Sequence, residues 1–465
     1  MTHRKISRRN FIGEASCLAV GSATIYNSIL NLGLANALSS FSGMNEDYKA
    51  LVCILLSGGN DSYNMVIPRG NAEYAEYQTT RSNLAIPRND ILAINPIIQD
   101  GRSFGIHPAM PELQSLFESG DLAFISNVGT LVEPVTKPDL ENQMKKIPLG
   151  LLSHSDQAMQ WMTSFPQERT SIGWGGKMAD LLQDANSNSA ISMNISLSGN
   201  NVFQSGQQTI EYTINSQEGG IGIIGYGEQD PFNQLKTTAI NSLLNQQYQD
   251  VFKKSYSNII RNAQDSNEEF NAAISQVPAF STTFSNNYVS QSLLMIARTI
   301  AARETLGIKK QTFFLTFGGW DHHDELLSNQ DEMLSMLSKA LSEFQSALNE
   351  ISVQENVTTF TVSDFARTLT SNGNGTDHAW GGNAIVMGGG VNGTQMYGSY
   401  PSLALNNELE TGNGILIPTT STDAYFAELA LWFGVSKSDL PLILPNIGNF
   451  YSIQSPDNPL GFMQA

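Results

Sequence analysis

Four of the six histidines of this chain lie in short motifs that combine imidazole with carboxylate or hydroxyl groups. His154 lies in Ser-His-Ser-Asp, His322 and His323 lie in Gly-Gly-Trp-Asp-His-His, and His378 lies in Gly-Thr-Asp-His. Imidazole and carboxylate are the ligands that borderline and hard divalent cations take. The motifs therefore predict a metal site for one or two divalent ions, with zinc or calcium as the expected metal. His107, followed by a proline, is interpreted as a loop or core contact.

The strands that must position these motifs are predicted from continuous apolar runs. Such runs occupy residues 48–57, 122–128, 312–317, 357–362 and 384–387, and most of them end at Gly, Asp or Ser. This pattern is typical of strands that are buried on both faces of a parallel sheet. Helices with an apolar stripe of 3.6-residue period lie between the runs. The alternation predicts an α/β fold, with a doubly wound, mostly parallel central sheet and helices on both faces.

The carboxylate and imidazole residues follow the ends of these strands. In open α/β sheets, binding sites form beyond the carboxyl ends of the strands. A single Asp after Gly-Gly is commonly a turn residue, whereas several strand-end loops with such residues indicate a metal site. The predicted metal ligands are Asp61, Asp321, His323, Asp364, Asp377 and His378.

Ser153 is the predicted nucleophile, and His154 is its predicted catalytic neighbour. The residues after Ser153 predict a helix start, where free backbone N–H groups stabilise an oxyanion or a bound phosphate. A metal ion lowers the pKa of a hydroxyl group enough for attack. The alternative is that Ser153 only caps the helix and His154 is a surface residue. Arg367, close in sequence to Asp364, is predicted either to clamp an anionic oxygen or to form a structural ion pair.

Residues 1–37 are predicted to be a twin-arginine export signal. Arg8-Arg9 lies in Ser-Arg-Arg-Asn-Phe-Ile, an uncharged stretch covers 17–34, and Ala-Asn-Ala at 35–37 is a cleavage site. A membrane anchor is the alternative, but the Gly, Ser and Asn content makes the stretch weakly apolar. We therefore expect a periplasmic or secreted protein of residues 38–465, with the twin-arginine translocase as its partner during export and no transmembrane span.

The composition limits the possible partners and the organisation of the remaining chain. The net charge of −18 argues against nucleic acid or an anionic membrane as a partner. Cys53 is the only cysteine after the predicted signal, so no intramolecular disulfide is possible and stability must come from a large core. Residues 187–285 are rich in Asn, Ser, Gln and Gly and predict an insertion with a few antiparallel strands followed by polar helices. The insertion is either a cap over the active-site edge or a solvated decoration.

Seven sequence blocks, in their order along the chain, resemble one exported bacterial family. The blocks are Leu-Leu-Ser-Gly-Gly-Asn-Asp (55–61), His-Pro-Ala-Met (107–110), Ser-His-Ser-Asp-Gln-Ala (153–158), Phe-Gly-Gly-Trp-Asp-His-His (317–323), Ser-Asp-Phe-Ala-Arg-Thr (363–368), Gly-Thr-Asp-His-Ala-Trp-Gly-Gly (375–382) and Pro-Asn-Ile-Gly-Asn-Phe (445–450). Their order is similar to that of the family catalogued as domain of unknown function 1501, which is grouped with the alkaline phosphatase and sulfatase superfamily. The resemblance covers essentially all of residues 38–465 and implies an alkaline phosphatase-like fold.

The resemblance also implies a role for each motif. Ser153 matches the nucleophile, and the implied metal ligands are Asp61, Asp321, His323 (with His322 as an alternative), Asp364 and His378. Phe365 stands where the superfamily usually has an imidazole, which implies that a second metal is weakly held, replaced or absent. The motif Ser/Cys-x-Pro-x-Arg does not surround Ser153, so conversion to formylglycine is not expected.

Together these observations predict an exported, metal-dependent hydrolase of phosphate or sulfate esters with a serine nucleophile. The expected substrate is a small anionic ester or a glycan-type ester, bound where the metal supplies positive charge. The alternative is a non-catalytic exported binding protein on a degenerate phosphatase-like fold.

Overall fold

The computed structural model of the chain describes residues 48–98 and 101–464. The predicted export signal at 1–37, its twin-arginine motif and its cleavage site lie outside the described residues. In the described part, the strands are Lys49–Ser57 (β1), Val66–Pro68 (β2), Leu92–Ile94 (β3), Phe104–Ile106 (β4), Leu122–Gly129 (β5), Asn194–Ser196 (β6), Tyr212–Asn215 (β7), Gly219–Gly220 (β8), Lys310–Gly318 (β9), Val357–Ser363 (β10), Gly382–Met387 (β11), Gln395–Tyr397 (β12) and Thr420–Ser421 (β13).

The α-helices of the same ranges are Ser62–Met65 (α1), Asn71–Arg81 (α2), Pro111–Ser119 (α3), Lys137–Glu141 (α4), His154–Thr163 (α5), Trp174–Leu182 (α6), Pro231–Leu244 (α7), Val251–Ser275 (α8), Tyr288–Ala301 (α9), Leu326–Glu350 (α10), Thr422–Phe433 (α11) and Leu440–Ile443 (α12). None of the helices in the described part is long and apolar enough to cross a membrane.

The central sheet has the order β12-β5-β11-β10-β1-β9-β6-β7-β8, and β13 also pairs with β5. Strand β1 lies between β10 and β9 and is parallel to both. The five apolar runs predicted as strands are β1, β5, β9, β10 and β11, which are neighbours or near neighbours in this sheet. A separate three-stranded sheet contains β2, β4 and β3. The sequence-based prediction of a mostly parallel α/β sheet is confirmed.

Helices cover both faces of the sheet because successive strand residues point to opposite faces. On β9, Phe313 belongs to the same buried core as Leu293 of α9 and Leu337 of α10. The next residue, Phe314, faces the other side, where its ring lies 5.9 Å from the ring of Phe203. That second core also holds Trp174 of α6, which stacks on an aromatic residue of α11. The prediction of a doubly wound arrangement is therefore confirmed.

Strand β11 runs antiparallel to β10. The loop 364–381 therefore leaves β10 and enters β11 at the same edge of the sheet. This edge is also the carboxyl end of β1 and β9, because both are parallel to β10 in register. Strand β5 is antiparallel to β11 and so ends at this edge too. Four chain segments that carry predicted site residues thus emerge on one side.

The segment 187–285 extends the sheet and does not form only an antiparallel unit. Strand β6 pairs parallel with β9, and β7 pairs parallel with β6. Only β8 is antiparallel, to β7. The sequence pattern could not separate these cases, because short alternating runs are common to parallel edge strands and to hairpins. The polar helices predicted after the strands are α7 and α8.

Candidate metal centre

Three imidazole rings converge on the carboxylate of Asp321 at the carboxyl edge of the sheet. The Nε2 atom of His323 lies 3.1 Å from Oδ1 of Asp321, and that of His378 lies 3.6 Å from the same oxygen. The Nε2 atom of His154 lies 3.5 Å from Oδ2. The Nε2 atoms of His323 and His378 are 3.1 Å apart. Ligand atoms of His154, Asp321 and His378 all lie within 4.8 Å of one another, and His323 lies beside Asp321 and His378.

The other ring nitrogen of each histidine is held by an oxygen atom. Nδ1 of His154 lies 2.8 Å from Oδ2 of Asp364, and Nδ1 of His378 lies 2.8 Å from the carbonyl oxygen of Leu152. Nδ1 of His323 lies 3.2 Å from Oδ1 of Asp377. The Leu152 carbonyl oxygen can only accept, so Nδ1 of His378 donates and its Nε2 carries the lone pair. In His154 and His323 both ring nitrogens face carboxylate oxygens, and the tautomer with the proton on Nδ1 is the one that leaves Nε2 able to bind a metal.

The local sequence explains why Asp321 reaches this position. A backbone turn at Gly58 after β1 lies directly against the loop that follows β9. A Cβ atom at Gly58 would come within 2.5 Å of the Asp321 backbone nitrogen, and the φ angle of +121° also favours glycine. The same turn donates its Gly58 N–H to Oδ2 of Asp364 at 3.1 Å. The Gly-Gly pair therefore allows two acid-bearing loops to meet.

Arg367 fixes the orientation of Asp321. Its guanidinium is buried. It donates one hydrogen bond to Oδ1 of Asp321 and one to the carbonyl oxygen of Thr376, each at 2.7 Å. Partial burial raises the pKa of Asp321, but the hydrogen bond and charge of Arg367 outweigh it and hold that pKa below its usual value. The structure thus has the ion pair that sequence reasoning gave as the alternative to an anion clamp. Arg367 acts on the site through Asp321.

Phe365 packs between two of the histidines. Its ring centroid lies 4.6 Å from that of His154 and 4.5 Å from that of His378. A Cβ atom at Gly59 would come within 2.6 Å of the Phe365 ring, so glycine leaves the space that the ring occupies. Burial lowers the pKa of His378, which favours its neutral form. The aromatic residue at the position of the expected imidazole therefore packs as an apolar support against two rings of the candidate site.

Asp61 is not brought into this group. Its carboxylate is fully buried and forms an ion pair with Arg81, whose guanidinium also donates to the carbonyl oxygen of Thr368 at 2.9 Å. The expectation that Asp61 is a ligand at the histidine cluster is not met by this geometry, because Arg81 neutralises the carboxylate inside the protein. Nothing in the spacing of Asp61 and Arg81 distinguishes such a pair from a metal ligand.

The structure also distinguishes between the adjacent histidines and has Ser153 at a helix start, as expected. His322 is buried, and its burial lowers its pKa, whereas the His323 ring is in the cluster. Ser153 is the N-cap of α5, and its Oγ accepts from the Asp156 N–H at 3.5 Å. Its neighbours on either side are both part of the site, through the Leu152 carbonyl and the His154 ring. His107 is buried, and burial lowers its pKa to about 4, as suits a core contact.

Two groups at the candidate site were not predicted in the positions that the structure gives them: the His154 ring and the Leu152 carbonyl. His154 was expected to assist a nucleophile, but its Nε2 joins Asp321 and His378 in a group whose ligand atoms all lie within 4.8 Å of one another. Its Ser-His-Ser-Asp motif was the available signal. The carbonyl of Leu152 is a backbone group, and no residue type indicates it. Asp364 and Asp377, predicted as ligands, contact the Nδ1 atoms of His154 and His323, and a direct ligand role for either stays a prediction.

The residues present fit a divalent cation. Ligand atoms of a tetrahedral zinc site are separated by roughly 3.3 Å, as follows from zinc–ligand bonds of about 2.0–2.1 Å. The separations of 3.1, 3.5 and 3.6 Å around Asp321 are close to this value. Imidazole nitrogens with a carboxylate oxygen, as in His154, His378 and Asp321, suit zinc or a similar ion, whereas calcium takes six to eight oxygen ligands. Of the two expected metals, the donor set fits zinc.

Three solved structures are similar to this chain over most of its length. The lipoteichoic acid synthase LtaP from Listeria monocytogenes aligns over 84% of this chain and 73% of its own, with 9% identity and a TM-score of 0.33. The PsFucS1 sulfatase from Pseudoalteromonas sp. aligns over 87% of this chain and 71% of its own, with 9% identity and a TM-score of 0.32. The protein Ps i-CgsB, solved with k-i-k-neocarrahexaose, aligns over 89% and 77%, with 9% identity and a TM-score of 0.35.

No curated protein has a detectable match to the sequence. Residues 48–413 match the family described as "Protein of unknown function (DUF1501)", and this range includes all the residues of the histidine cluster. The chain therefore belongs to the DUF1501 family.

Proposed function

We propose that this protein is an exported, metal-dependent hydrolase of phosphate or sulfate esters. The proposal rests on the convergence of three Nε2 atoms on Asp321, with each Nδ1 beside an oxygen atom. His154, Asp321 and His378 would hold one divalent cation and leave one coordination position open, with His323 next to Asp321 and His378. Asp364, Asp377 and the Leu152 carbonyl would keep the imidazoles oriented, and Arg367 would orient the carboxylate.

The exposure of the cluster supports a catalytic site over a structural metal site. The side chain of Asp321 is 46% exposed and that of His323 is 45% exposed. Structural zinc sites are closed by four protein ligands, whereas catalytic sites keep a position open to water or substrate. A bound cation would act as a Lewis acid that polarises the ester oxygen and lowers the pKa of a nearby hydroxyl group or water. The site can therefore accept a small anionic ester or an ester group on a glycan.

Ser153 is the proposed nucleophile. Its Oγ contact with the Asp156 N–H is long at 3.5 Å, so the oxygen keeps a lone pair for attack. Attack would form a bond from Oγ to phosphorus or sulfur, break the bond to the ester oxygen and release the alcohol, which takes the proton that the serine loses. Water would then cleave the seryl ester, releasing phosphate or sulfate and restoring the serine hydroxyl group. The position at the start of α5 places backbone N–H groups beside the developing negative charge.

The test combines metal analysis with an ester screen. The purified full chain is expected to contain about one zinc ion and to hydrolyse an aryl phosphate or an aryl sulfate. His378→Ala and Asp321→Ala should lose both metal and turnover, whereas Asp90→Asn, at an exposed carboxylate outside the site, should lose neither. Absence of metal from the unaltered protein after zinc supplementation would contradict the proposal.

Two serine variants identify the attacking group. Ser153→Ala should abolish turnover and keep the metal, and Ser115→Ala, at an exposed serine outside the site, should retain activity. If Ser153→Ala remains active, water attacks the ester directly and the serine only caps the helix.

The second candidate is a non-catalytic exported binding protein. The packing of Phe365 against His154 and His378 favours this alternative, because an apolar ring occupies the place expected for another ligand. In that case the protein would contain zinc but hydrolyse neither class of ester.

Export is part of the proposal and rests on the sequence of residues 1–37. Replacing both Arg8 and Arg9 with lysine should stop translocation, which cell fractionation measures.

A further inference from the structure

Residues 231–262 form a helical hairpin with an apolar outer surface. It consists of α7 and the first half of α8, which pack against each other. Helix α7 buries none of its own residues. Phe232, Leu235 and Leu243 are large apolar side chains on α7, and each is more than half exposed. Their spacing of three and eight residues places them along one side of the helix.

The first half of α8 has a second exposed stripe. Phe252 is 86% exposed, and Tyr256 and Ile259, four and seven residues later, are also mostly exposed. This spacing lies on one helix face, while residues such as Ser257 and Gln264 are buried against the protein. Single exposed apolar side chains are normal in soluble proteins, but a contiguous group of them marks an interaction surface. The two stripes meet at the groove between the helices, which is lined by Leu243 from one stripe and Tyr256 from the other.

The charge of the hairpin is opposite to that of the whole chain. The chain has a net charge of −18, but residues 231–262 contain four basic residues and one acidic residue, Asp250. Lys236 and Arg261 donate to the backbone carbonyls of neighbouring segments. Lys253 and Lys254 are exposed beside Phe252. Lysines that flank an apolar stripe are typical of helices that lie in the interface of an anionic membrane.

The charge also disfavours a second copy of the chain as the occupant. Two hairpins packed face to face would bring like positive charges together, which costs free energy. The negative charge elsewhere on the protein is screened beyond about 8 Å at physiological ionic strength, so the local positive charge decides what the hairpin meets. An anionic surface is therefore the complementary partner.

We propose that the hairpin binds the surface of an anionic phospholipid bilayer. Phe252, Tyr256 and Leu243 would enter the boundary between headgroups and acyl chains, and the two lysines would lie at the lipid phosphates. A groove of about 550 Å³ opens between the helices and is lined by apolar residues that include Ile240, Leu243 and Tyr256. It offers space for part of an acyl chain. Binding here is separate from the histidine cluster and does not depend on ester hydrolysis.

The test is sedimentation of the full chain with vesicles, using variants that keep the N-terminal segment unchanged. Vesicles of phosphatidylcholine with phosphatidylglycerol are compared with vesicles of phosphatidylcholine alone. Each lysine near an anionic surface contributes roughly fivefold to binding, so Lys253→Gln with Lys254→Gln should weaken binding roughly 30-fold. Phe252→Ser with Tyr256→Ser should weaken it at least about tenfold. Lys309→Gln and Leu405→Ser, exposed residues outside the hairpin, serve as matched controls.

The expected result is that both hairpin variants lose binding to the anionic vesicles, while the controls bind as the unaltered chain does. Equal binding of hairpin variants and controls overturns the proposal, as does no difference between the two vesicle types. Light scattering provides a second measurement. A dimer that Phe252→Ser with Tyr256→Ser converts to a monomer would show that the surface joins copies of the chain, which also overturns the proposal. Circular dichroism should be unchanged in every variant, since the replaced residues are exposed.

Discussion

The buried ion pair between Asp61 and Arg81 provides the sharpest test of the site described above. The sequence motif makes Asp61 a metal ligand, but the structure pairs its carboxylate with Arg81 and buries both side chains completely. Asp61→Asn removes one charge and leaves the other buried without its partner. Breaking a buried pair in this way costs about 3–5 kcal/mol. We therefore expect a large loss of stability and no loss of metal.

The expected shift in melting temperature follows from the size of the protein. Unfolding entropy is about 2.1 cal/mol/K per residue, so roughly 420 residues give about 0.9 kcal/mol/K. A loss of about 3–5 kcal/mol then lowers Tm by roughly 3–6 °C. Arg81→Met should cost a similar amount. In the double variant, neither charge is left unpaired, so its loss should be smaller than the sum of the single losses by about 2 kcal/mol.

The assay is calorimetric melting combined with zinc analysis on the same protein preparations. Asp90→Asn, an exposed carboxylate, is the control and should change stability by less than about 0.5 kcal/mol. If Asp61→Asn loses its zinc while its Tm changes no more than that of Asp90→Asn, Asp61 is a ligand, and the conclusion that it serves as a buried ion-pair partner is refuted. Additive losses in the double variant would show that the two residues do not interact.

Three further predictions concern the support of the site and of the fold. Asp364→Asn and Asp377→Asn should each weaken zinc binding about 10–100-fold without abolishing it, because they hold ligand imidazoles; competition with a zinc chelator measures this, and loss of all metal would make either residue a direct ligand. Gly59→Ala should lower both stability and zinc content, since its Cβ would meet the Phe365 ring at 2.6 Å at a φ of +89°; an unchanged Tm would show that the ring moves freely. Burial raises the pKa of Asp423 from its usual 3.8 to about 7, so the folded state binds an extra proton between these values and stability falls as pH rises from about 4 to 7. This shift corresponds to roughly 4 kcal/mol, and Asp423→Asn should remove that part of the pH dependence in urea unfolding; an unaltered dependence would contradict it.

The central strands could be predicted because the physical cause is local. Strands β1, β9 and β10 are buried on both faces, so nearly every residue in them is apolar or small, and the runs are visible directly. The pairing direction of β11 was not visible. The direction of β11 depends on whether the loop 364–381 stays at the carboxyl end of β10 or crosses to the other end of the sheet. That choice depends on the packing of the whole sheet.

The candidate site shows the same division. The residue types of Asp321, His323 and His378, on loops after parallel strands, were sufficient to predict that they meet. The role of His154 was not, because it depends on the segment between β5 and α5 folding back to the same edge. Asp61 is the opposite case, since the structure pairs it with Arg81, which lies 20 residues later and becomes its partner only in the folded chain.

By itself, the sequence determined an α/β protein with a large apolar core and a carboxylate–imidazole site at the carboxyl edge of its sheet. These features follow from residue type and period, which act over a few residues. Only the tertiary structure decided which oxygen faces each histidine nitrogen, which acids lie at the histidine cluster and which pair elsewhere, and where an apolar basic hairpin is exposed. Those outcomes depend on distances between segments far apart in the chain, and hydrogen bonds and burial are set only when the segments pack together.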